Sequence, residues 1–408
     1  MRIGSCIAIG LLVAGSVWGD GFRFHSSTFR VGPFPTSIAA ADLNGDGIPE
    51  IVTANRGHLS DPSDEIPGGE ELSLLVATKK LAYVAEPPLS AGFGPYAVAI
   101  ANIDALKEPD LVVVNFMATR NRDLSLLRNI GDNLFEPHHF GVDDEALRYT
   151  QRRDGVGNPV FTTPGLTALV IDDFDRDGYR DVVATGWSSD TLVYFPGDAD
   201  TYFGVPVLVP IAGNPRDLAS HDFDRDGNKD LVIALYSTNE IALLKGNGDG
   251  TFEEVNRFSS RGTLPSSVAL GDINGDGKKD LIVGHRHADD SVVIFYGDGK
   301  FEFSVAQELL FGEDRKKIES DIRDVLVEDF NEDGKPDLAI GCAASRKIII
   351  LTNTTKKDAS LGTFKREKYT VKKGSPQALC SADFNGDGKL DIGVALWDEN
   401  RVTLLLGR

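Results

Sequence analysis

Short apolar runs alternate with polar turns along the whole chain. The clearest example lies at 266–307, where SSVALGD, KDLIVGH, SVVIFYG and KFEFSVAQ follow one another with polar or glycine-rich breaks. Short runs rich in β-branched residues and bounded by such breaks are typical of strands. The pattern therefore predicts an all-β protein, with four strands in this segment at 266–272, 279–285, 291–297 and 300–307.

A nine-residue acidic string lies between the first two strands of each unit. It occurs six times, as DLNGDGIPE at 42–50, DFDRDGYRD at 173–181, DFDRDGNKD at 222–230, DINGDGKKD at 272–280, DFNEDGKPD at 329–337 and DFNGDGKLD at 383–391. A decayed seventh copy, NIDALKEPD, occupies 102–110. The strings recur every 49 to 71 residues, and strand-only repeats near 50 residues predict the blades of a propeller. Seven blades are expected.

Acids at positions 1, 3, 5 and 9 of one short loop repel one another unless a cation lies between them. Calcium suits this arrangement because it accepts about six to eight oxygen ligands in tolerant geometry. Glycine at position 6 permits the sharp turn, and the backbone carbonyl of position 7 then points inward. About six calcium sites are predicted, with the ligands Asp42, Asn44, Asp46, Ile48 and Glu50; Asp173, Asp175, Asp177, Tyr179 and Asp181; Asp222, Asp224, Asp226, Asn228 and Asp230; Asp272, Asn274, Asp276, Lys278 and Asp280; Asp329, Asn331, Asp333, Lys335 and Asp337; and Asp383, Asn385, Asp387, Lys389 and Asp391.

Other interpretations of the loops fit less well. An EF-hand loop begins with the same acid spacing, but its last acid stands at position 12 and helices flank it. Magnesium prefers strict octahedral geometry, and zinc prefers the His and Cys ligands that these loops lack. A solvated turn without any ion is the remaining alternative. In the decayed copy Leu106 replaces the acid at position 5, so no calcium is expected there.

The loop pattern D-x-D/N-x-D-G-x-x-D, preceded by P-x-S-V/I-A and followed by G-D-G-x-F, resembles the FG-GAP/VCBS repeat family. Integrin α-subunit propellers and many secreted bacterial proteins belong to that family. The resemblance covers nearly the whole chain after its first residues. It implies a β-propeller and calcium binding by the acids of the six loops, but it does not extend to Asn102, Asp104 and Asp110.

Charge and the first residues bear on location and partners. The chain has 62 acidic and 42 basic residues, a net charge of −20, and no basic stripe that would suit a nucleic-acid partner. Residues 1–19 combine one cation, an apolar run and small residues, as in a secretory signal peptide. A membrane anchor is the alternative, although the run is short for a span of about 20 residues. The expected mature chain, 20–408, is secreted or extracytoplasmic and has no transmembrane segment.

The last blade needs a strand from elsewhere in the chain. After RVTLLLG at 401–407 no fourth strand follows, whereas FRFHSSTFRVG at 22–32 has the pattern of a fourth strand. Residues 22–32 are predicted to complete blade 7 and close the ring, which would remove open sheet edges. Cys342 and Cys380 lie in strand-like segments, where either two buried thiols or a disulfide is consistent with the sequence.

Long insertions mark a candidate binding surface. They lie at 56–71, 143–159, 285–290 and 312–321, all in connections that an up-and-down blade places opposite the acidic loops. Long loops on a rigid scaffold often bind ligands. Tyr149, Arg152 and Arg153 suit a carboxylate or sugar-acid partner, or else belong to a solvated charged loop. His285, His287, Asp289 and Asp290 are a weaker candidate for a hydrolase metal cluster.

No catalytic motif is present: the chain lacks a nucleophile elbow, an HExxH zinc motif and a phosphate loop. The expected function is therefore a secreted, calcium-binding, monomeric propeller that binds an extracellular protein or glycan without catalysis of its own. The alternative is a calcium-dependent polysaccharide lyase or hydrolase that uses the face opposite the calcium loops.

Overall fold

The computed structural model describes residues 22–57, 69–104, 106–118, 122–142, 164–286, 291–311 and 321–407. Every helix or strand assigned within these ranges is a β-strand. The strands form seven principal antiparallel sheets in a seven-bladed propeller, with one small additional ribbon. The all-β class and the seven blades predicted from the repeats are confirmed.

The blades follow one another in chain order, and each runs from its first strand near the centre to its fourth at the outer edge. Blade 1 consists of β2 (Pro35–Ala41), β3 (Glu50–Asn55), β4 (Glu71–Lys79) and β5 (Ala82–Ala85), with β6 (Leu89–Ser90) beside β4; blade 2 consists of β7 (Pro95–Ala101), β8 (Asp110–Asn115), β9 (Leu124–Asn129) and β10 (Phe135–Phe140). Blade 3 consists of β11 (Leu166–Asp172), β12 (Asp181–Gly186), β13 (Thr191–Phe195) and β16 (Val207–Pro210), with the ribbon β14 (Gly197–Asp198) and β15 (Tyr202–Phe203); blade 4 consists of β17 (Pro215–His221), β18 (Asp230–Leu235), β19 (Glu240–Gly246) and β20 (Phe252–Ser259). Blade 5 consists of β21 (Pro265–Gly271), β22 (Asp280–His285), β23 (Ser291–Tyr296) and β24 (Val305–Leu310); blade 6 consists of β25 (Ile322–Glu328), β26 (Asp337–Cys342), β27 (Lys347–Asn353) and β28 (Phe364–Thr370); and blade 7 consists of β29 (Pro376–Ala382), β30 (Asp391–Leu396), β31 (Arg401–Leu406) and β1 (Arg23–Arg30).

Burial follows the position of a strand within its blade. Second strands such as β8, with the sequence DLVVVN, are buried along their whole length because they lie inside a sheet that has another blade on each side. Fourth strands such as β20, with the sequence FEEVNRFS, are largely half-buried or exposed. A strand that is covered on both faces has a continuous apolar sequence, and this accounts for the short hydrophobic segments of the chain.

Seven apolar clusters fill the spaces between neighbouring blades. One of them joins Ile38 and Ile51 of blade 1 to Cys380 and Phe384 of blade 7. Cys342 belongs to a different cluster, between blades 5 and 6. The two thiols are therefore buried in separate interfaces, where they pack as small apolar groups.

The strand β1 lies beside the last strand of the chain. It pairs antiparallel with β31, so that Thr28 lies opposite Thr403 and Phe29 opposite Val402. The Phe29 ring also contacts Tyr83 of blade 1, with ring centroids 5.1 Å apart. The strand β1 thus pairs with β31 and contacts blade 1.

The fourth strand of blade 5 differs from the prediction. It begins at Val305 rather than Lys300. Asp298 Oδ1 accepts hydrogen bonds from the backbone N–H groups of Lys300 and Glu302, at 2.8 and 3.3 Å, so the backbone turns where the strand was expected. Phe303 is buried and its ring packs edge-on against Phe223 of blade 4, which removes it from the strand pattern.

Candidate functional site

Each acidic loop joins the first strand of its blade to the second. The six loops at 42–50, 173–181, 222–230, 272–280, 329–337 and 383–391 therefore lie on one side of the disc, the acidic face. The connections between second and third strands, and those between blades, lie on the opposite face. The described strand ends that flank the predicted insertions are thus on the face opposite the predicted metal ligands, while most of each insertion lies outside the described residues.

The acid at position 1 organises each loop. In the first loop Asp42 Oδ2 accepts a hydrogen bond from the backbone N–H of Gly47, at 2.9 Å, and in the other five loops the same bond measures 2.8 to 3.2 Å. Gly47 has φ of 84°, in the left-handed region that disfavours side chains, although the space around it is open. Position 6 therefore requires glycine for its backbone conformation.

An apolar side chain at position 2 anchors each loop to the core. These residues, all at most 4% exposed, are Leu43, Phe174, Phe223, Ile273, Phe330 and Phe384. Each packs between two blades, so the acids on either side of it are held at the end of a rigid hairpin. Truncation of such a side chain to alanine typically costs about 2–5 kcal/mol.

Carboxylates converge in two of the loops. Asp173, Asp175 and Asp181 each place one oxygen within 4.8 Å of the others, and Asp222, Asp224 and Asp226 do the same. Three carboxylates at such distances repel one another without a cation between them. The clusters could hold a metal ion, and their all-oxygen donor sets fit a hard cation such as calcium better than zinc.

The acid at position 9 is buried in every copy. In the sixth loop Asp391 Oδ2 accepts a hydrogen bond from the backbone N–H of Phe384 at 3.1 Å, and Oδ1 accepts one from Gly407 at 2.8 Å. The first bond ties the acid to its own loop and the second ties it to the end of the third strand. Sequence reasoning assigned this residue only as a ligand, whereas the structure also gives it a bridging role.

Burial raises the pKa of these acids because it removes the charged form from water. Neighbouring loop acids raise it further, while the bonded backbone N–H groups lower it. The resulting pKa is about 7 for Glu50, Asp280, Asp337 and Asp391, and about 6 for Asp181 and Asp230. A cation in the loop would favour the ionised forms.

The decayed loop keeps the bridging acid but contains a protein cation. Asp110 accepts hydrogen bonds from Ile103 N at 2.9 Å and from Asn129 N at 2.8 Å, as its counterparts do. The guanidinium Nε of Arg128 lies 2.5 Å from Oδ2 of Asp104, the acid at position 3 of the loop. The loop thus retains its scaffold, while an arginine supplies the positive charge.

A lysine holds the equivalent position in blade 4. The residue that precedes the bridging N–H lies in the third strand or directly after it. In blades 1 to 7 it is Val76, Arg128, Pro196, Lys245, Tyr296, Thr352 and Leu406. Lys245 Nζ is 2.8 Å from Asp226 Oδ2 and also contacts Asp224. The loop at 222–230 therefore combines a complete acid set with an internal cation, a feature that sequence spacing alone did not reveal.

Two rings of side chains surround the centre of the opposite face. The inner ring consists of the second residue of every first strand, namely Thr36, Tyr96, Thr167, Arg216, Ser266, Arg323 and Gln377. The outer ring consists of the residue after every second strand, namely Arg56, Phe116, Trp187, Tyr236, Arg286, Ala343 and Trp397. Each outer-ring N–H bonds to the carbonyl of the residue preceding the first strand, so the seven positions are equivalent.

Sequence reasoning missed both rings and placed its candidates in the insertions. Tyr149, Arg152 and Arg153 lie outside the described residues, as do His287, Asp289 and Asp290. His285 is fully buried, and its Nδ1 lies 3.4 Å from the Ser291 carbonyl oxygen. In the described ranges, no helix is long and apolar enough to span a membrane.

Comparison with known proteins agrees with the repeats and the fold. A model of FG-GAP-like repeats matches residues 173–233, 222–283, 272–340 and 329–394, and a model of the FG-GAP repeat matches 34–63. No curated protein sequence matches the chain.

Solved structures with similar folds have low sequence identity. BBS1N in complex with ARL6DN, from a lead-soaked crystal, is 12% identical with a TM-score of 0.61, covering 95% of this chain and 97% of that one. A putative 6-phosphogluconolactonase from Bacteroides uniformis is 14% identical with a TM-score of 0.53, covering 80% and 83%. A catalytically inactive virginiamycin B lyase from Staphylococcus aureus with quinupristin is 11% identical with a TM-score of 0.55, covering 94% and 98%. At these identities the likeness concerns the fold alone.

Proposed function

This chain belongs to the FG-GAP repeat family, and from that premise we propose that it is a secreted, calcium-stabilised interaction module. It binds an extracellular protein or glycan on the opposite face, as a monomer and without catalysis of its own. The observation that carries the proposal is the separation of the two faces. Acidic loops with anchored, ligand-like geometry occupy one face, and half-buried aromatic and arginine side chains surround the centre of the other.

Calcium would be held by the acids of the six complete loops. The convergent carboxylates of the loops at 173–181 and 222–230 support this, as does the repeated bond from position 1 to the glycine at position 6. The ion would neutralise the mutual repulsion of the loop acids, so binding and stability would be coupled. The loop at 102–110 is excluded because Leu106 replaces the acid at position 5 and Arg128 pairs with Asp104.

We also propose that β1 closes the ring in the mature protein. Its pairing with β31 and its contact with Tyr83 support this role. An unpaired β31 would present a strand edge that could recruit another chain. Closure would therefore favour the monomer.

A second candidate function has one observation in its favour. Arg216 donates a hydrogen bond to the Tyr96 hydroxyl in the centre of the opposite face, and an arginine next to a tyrosine could serve a polysaccharide lyase or hydrolase. The interaction module remains the preferred function because no catalytic motif is found in the sequence.

The test is a binding screen on immobilised glycans and extracellular proteins, with calcium or with EDTA. Product release from the same glycans separates binding from turnover. A ligand bound only with calcium is expected to be lost in Trp397→Ala, on the opposite face. It should be retained in Tyr179→Ala, which removes an exposed aromatic side chain of the acidic face but keeps the backbone carbonyl that is the predicted ligand. Loss of binding in Tyr179→Ala alone would place the ligand on the acidic face and contradict the proposal. Turnover of a glycan would favour the lyase or hydrolase.

A further inference from the structure

The first strands share a distortion that turns polar side chains toward the axis of the propeller. In β2, Pro35 pairs with Asn55 and Ser37 with Ala54, so Thr36 is an extra residue that no partner opposes. The same bulge occurs in β7, β17, β21, β25 and β29, and β11 has an irregularity between Leu166 and Leu169. Bulges of this kind redirect side chains and are common beside binding sites.

The inner ring lines a cavity of about 80 Å³ between the first strands. One water molecule takes about 30 Å³ of liquid volume, whereas pockets that enclose whole small molecules have roughly 300–1,000 Å³. The cavity can therefore accept a group the size of a carboxylate but not a sugar ring. A larger ligand would remain on the outer ring and insert one small group.

Positive charge collects at this opening in a protein whose net charge is −20. Arg216 stacks on the Tyr96 ring at 4.8 Å, and Arg56 stacks on Trp397 at 4.6 Å. Arg286 and Arg323 share a single carboxylate, Asp321, at 3.2 and 2.6 Å. Among the described residues, four guanidiniums therefore stand at this opening, and such groups bind carboxylates in bidentate geometry.

Two further acids line the cavity, one residue deeper along the strands. Asp217 Oδ2 accepts a hydrogen bond from Val268 N at 2.9 Å, and Asp324 Oδ2 accepts one from Leu379 N at 2.8 Å. Each bond joins one blade to the next, so these carboxylates serve the ring itself. Asp217 follows Arg216 directly in the chain, and Asp324 follows Arg323.

The Tyr96 phenol reports the local charge. Burial would raise its pKa, yet the pKa is lowered because Arg216, Arg56 and Arg286 favour the phenolate. The environment therefore stabilises a negative oxygen in the middle of the opening.

Two aromatic side chains of the outer ring, Phe116 and Trp187, stand in the neighbouring blades 2 and 3. Phe116 lies between Tyr96 and Trp187, with ring centroids 5.5 and 6.0 Å apart. Both rings are half-buried, and Arg216, Arg286 and Arg323 belong to the blades that follow in ring order, 4 to 6. A flat ring could pack on these two side chains while its charged group reaches the arginines of blades 4 to 6.

From this juxtaposition we propose that the centre of the opposite face binds an acidic saccharide, with a uronate carboxylate on Arg216 and Arg323 and the sugar ring on Phe116 and Trp187. This inference rests on the proposed function and specifies its ligand class. An acidic peptide could pair with the arginines, but it has no sugar ring to pack on Phe116 and Trp187.

The test uses calorimetry on the calcium-loaded full chain with tetragalacturonate. The fully methyl-esterified tetramer is the uncharged match, and polyglutamate is the peptide probe. We expect at least about tenfold weaker binding of the ester, and a similar loss of tetragalacturonate affinity in Arg216→Gln and Arg323→Gln. Arg366→Gln, an equal charge change on the exposed outer strand β28, should bind as the unaltered protein does.

Melting curves confirm that each variant is folded, and Trp187→Leu supplies a second variant that leaves the arginines in place and should also weaken binding. Equal binding of the ester, preference for polyglutamate, or an equal loss in Arg366→Gln would overturn the proposal. A neutral glycan bound on this face would overturn the uronate while leaving the proposed function intact. Binding that only acidic-face variants abolish would overturn both.

Discussion

At the scale of single residues, the acid at position 9 has two tasks, and both favour its ionised form. Its oxygens accept two backbone hydrogen bonds in the core, and its charge completes the predicted ligand set. The decayed loop separates these tasks, since Asp110 keeps the bridge where no calcium is expected. Metal binding does not explain why that loop retains Asp110, whereas its two backbone hydrogen bonds do.

The raised pKa of these acids predicts how the calcium-free protein responds to pH. Their pKa is near 4 in the unfolded chain and about 6 to 7 when folded, mainly because of burial. Between these values the folded state binds more protons, so stability falls as pH rises from about 4 to 7. Melting in EDTA should give a lower Tm at pH 7.5 than at pH 5. A Tm that rises over this interval would contradict the assignment.

Lys245 predicts one weak site among the six. Lys245→Met removes the cation that pairs with Asp224 and Asp226, so calcium affinity of the loop at 222–230 should rise, roughly three- to tenfold for a partly exposed ion pair. At a calcium concentration where the unaltered protein carries five ions, native mass spectrometry should show six in the variant.

The matched control for this change is Lys229→Met. Lys229 belongs to the same loop but pairs with Asp172, at 3.1 Å, outside the ligand set. An equal gain in both variants would indicate a general charge effect rather than competition at the site.

At the scale of elements, the sequence alone predicted the strands and blades wherever the same repeat recurred. Strand-sized apolar runs and the acidic strings gave the blades because both are local patterns. The inner ring was not predictable in this way, since Arg216 and Arg323 stand in bulges that interrupt strand alternation. A usable signal exists in retrospect, because each first strand opens with a residue, most often proline, followed by the side chain that lines the axis.

The pairing of β1 with β31 can be tested by a cross-link. Thr28 and Thr403 are opposite each other, so a Thr28→Cys, Thr403→Cys variant should form an intramolecular disulfide under oxidation and melt at a higher temperature. Thr28→Cys with Lys365→Cys, on the outer strand of blade 6, is the control and should remain reduced. Disulfide-linked dimers in place of the internal bond would contradict closure within one chain.

At the scale of the whole molecule, the acidic loops lie on one face of the propeller and the inner and outer rings lie on the other. If calcium holds six hairpins, its removal should loosen every complete loop. One site at a calcium concentration a hundred times its Kd contributes about 2.7 kcal/mol. Several such sites should therefore lower Tm on the order of 10 °C or more when EDTA replaces calcium. Scanning calorimetry measures this, and coincident melts would contradict a stabilising role.

The most direct measurement is the number of calcium ions per folded chain, obtained by native mass spectrometry during a calcium titration. The six complete loops, with Arg128 occupying the decayed one, predict saturation at six ions, reduced to five in Asp173→Ala with Asp175→Ala. Saturation at zero would contradict calcium binding altogether. Saturation at seven would contradict the role assigned to Arg128.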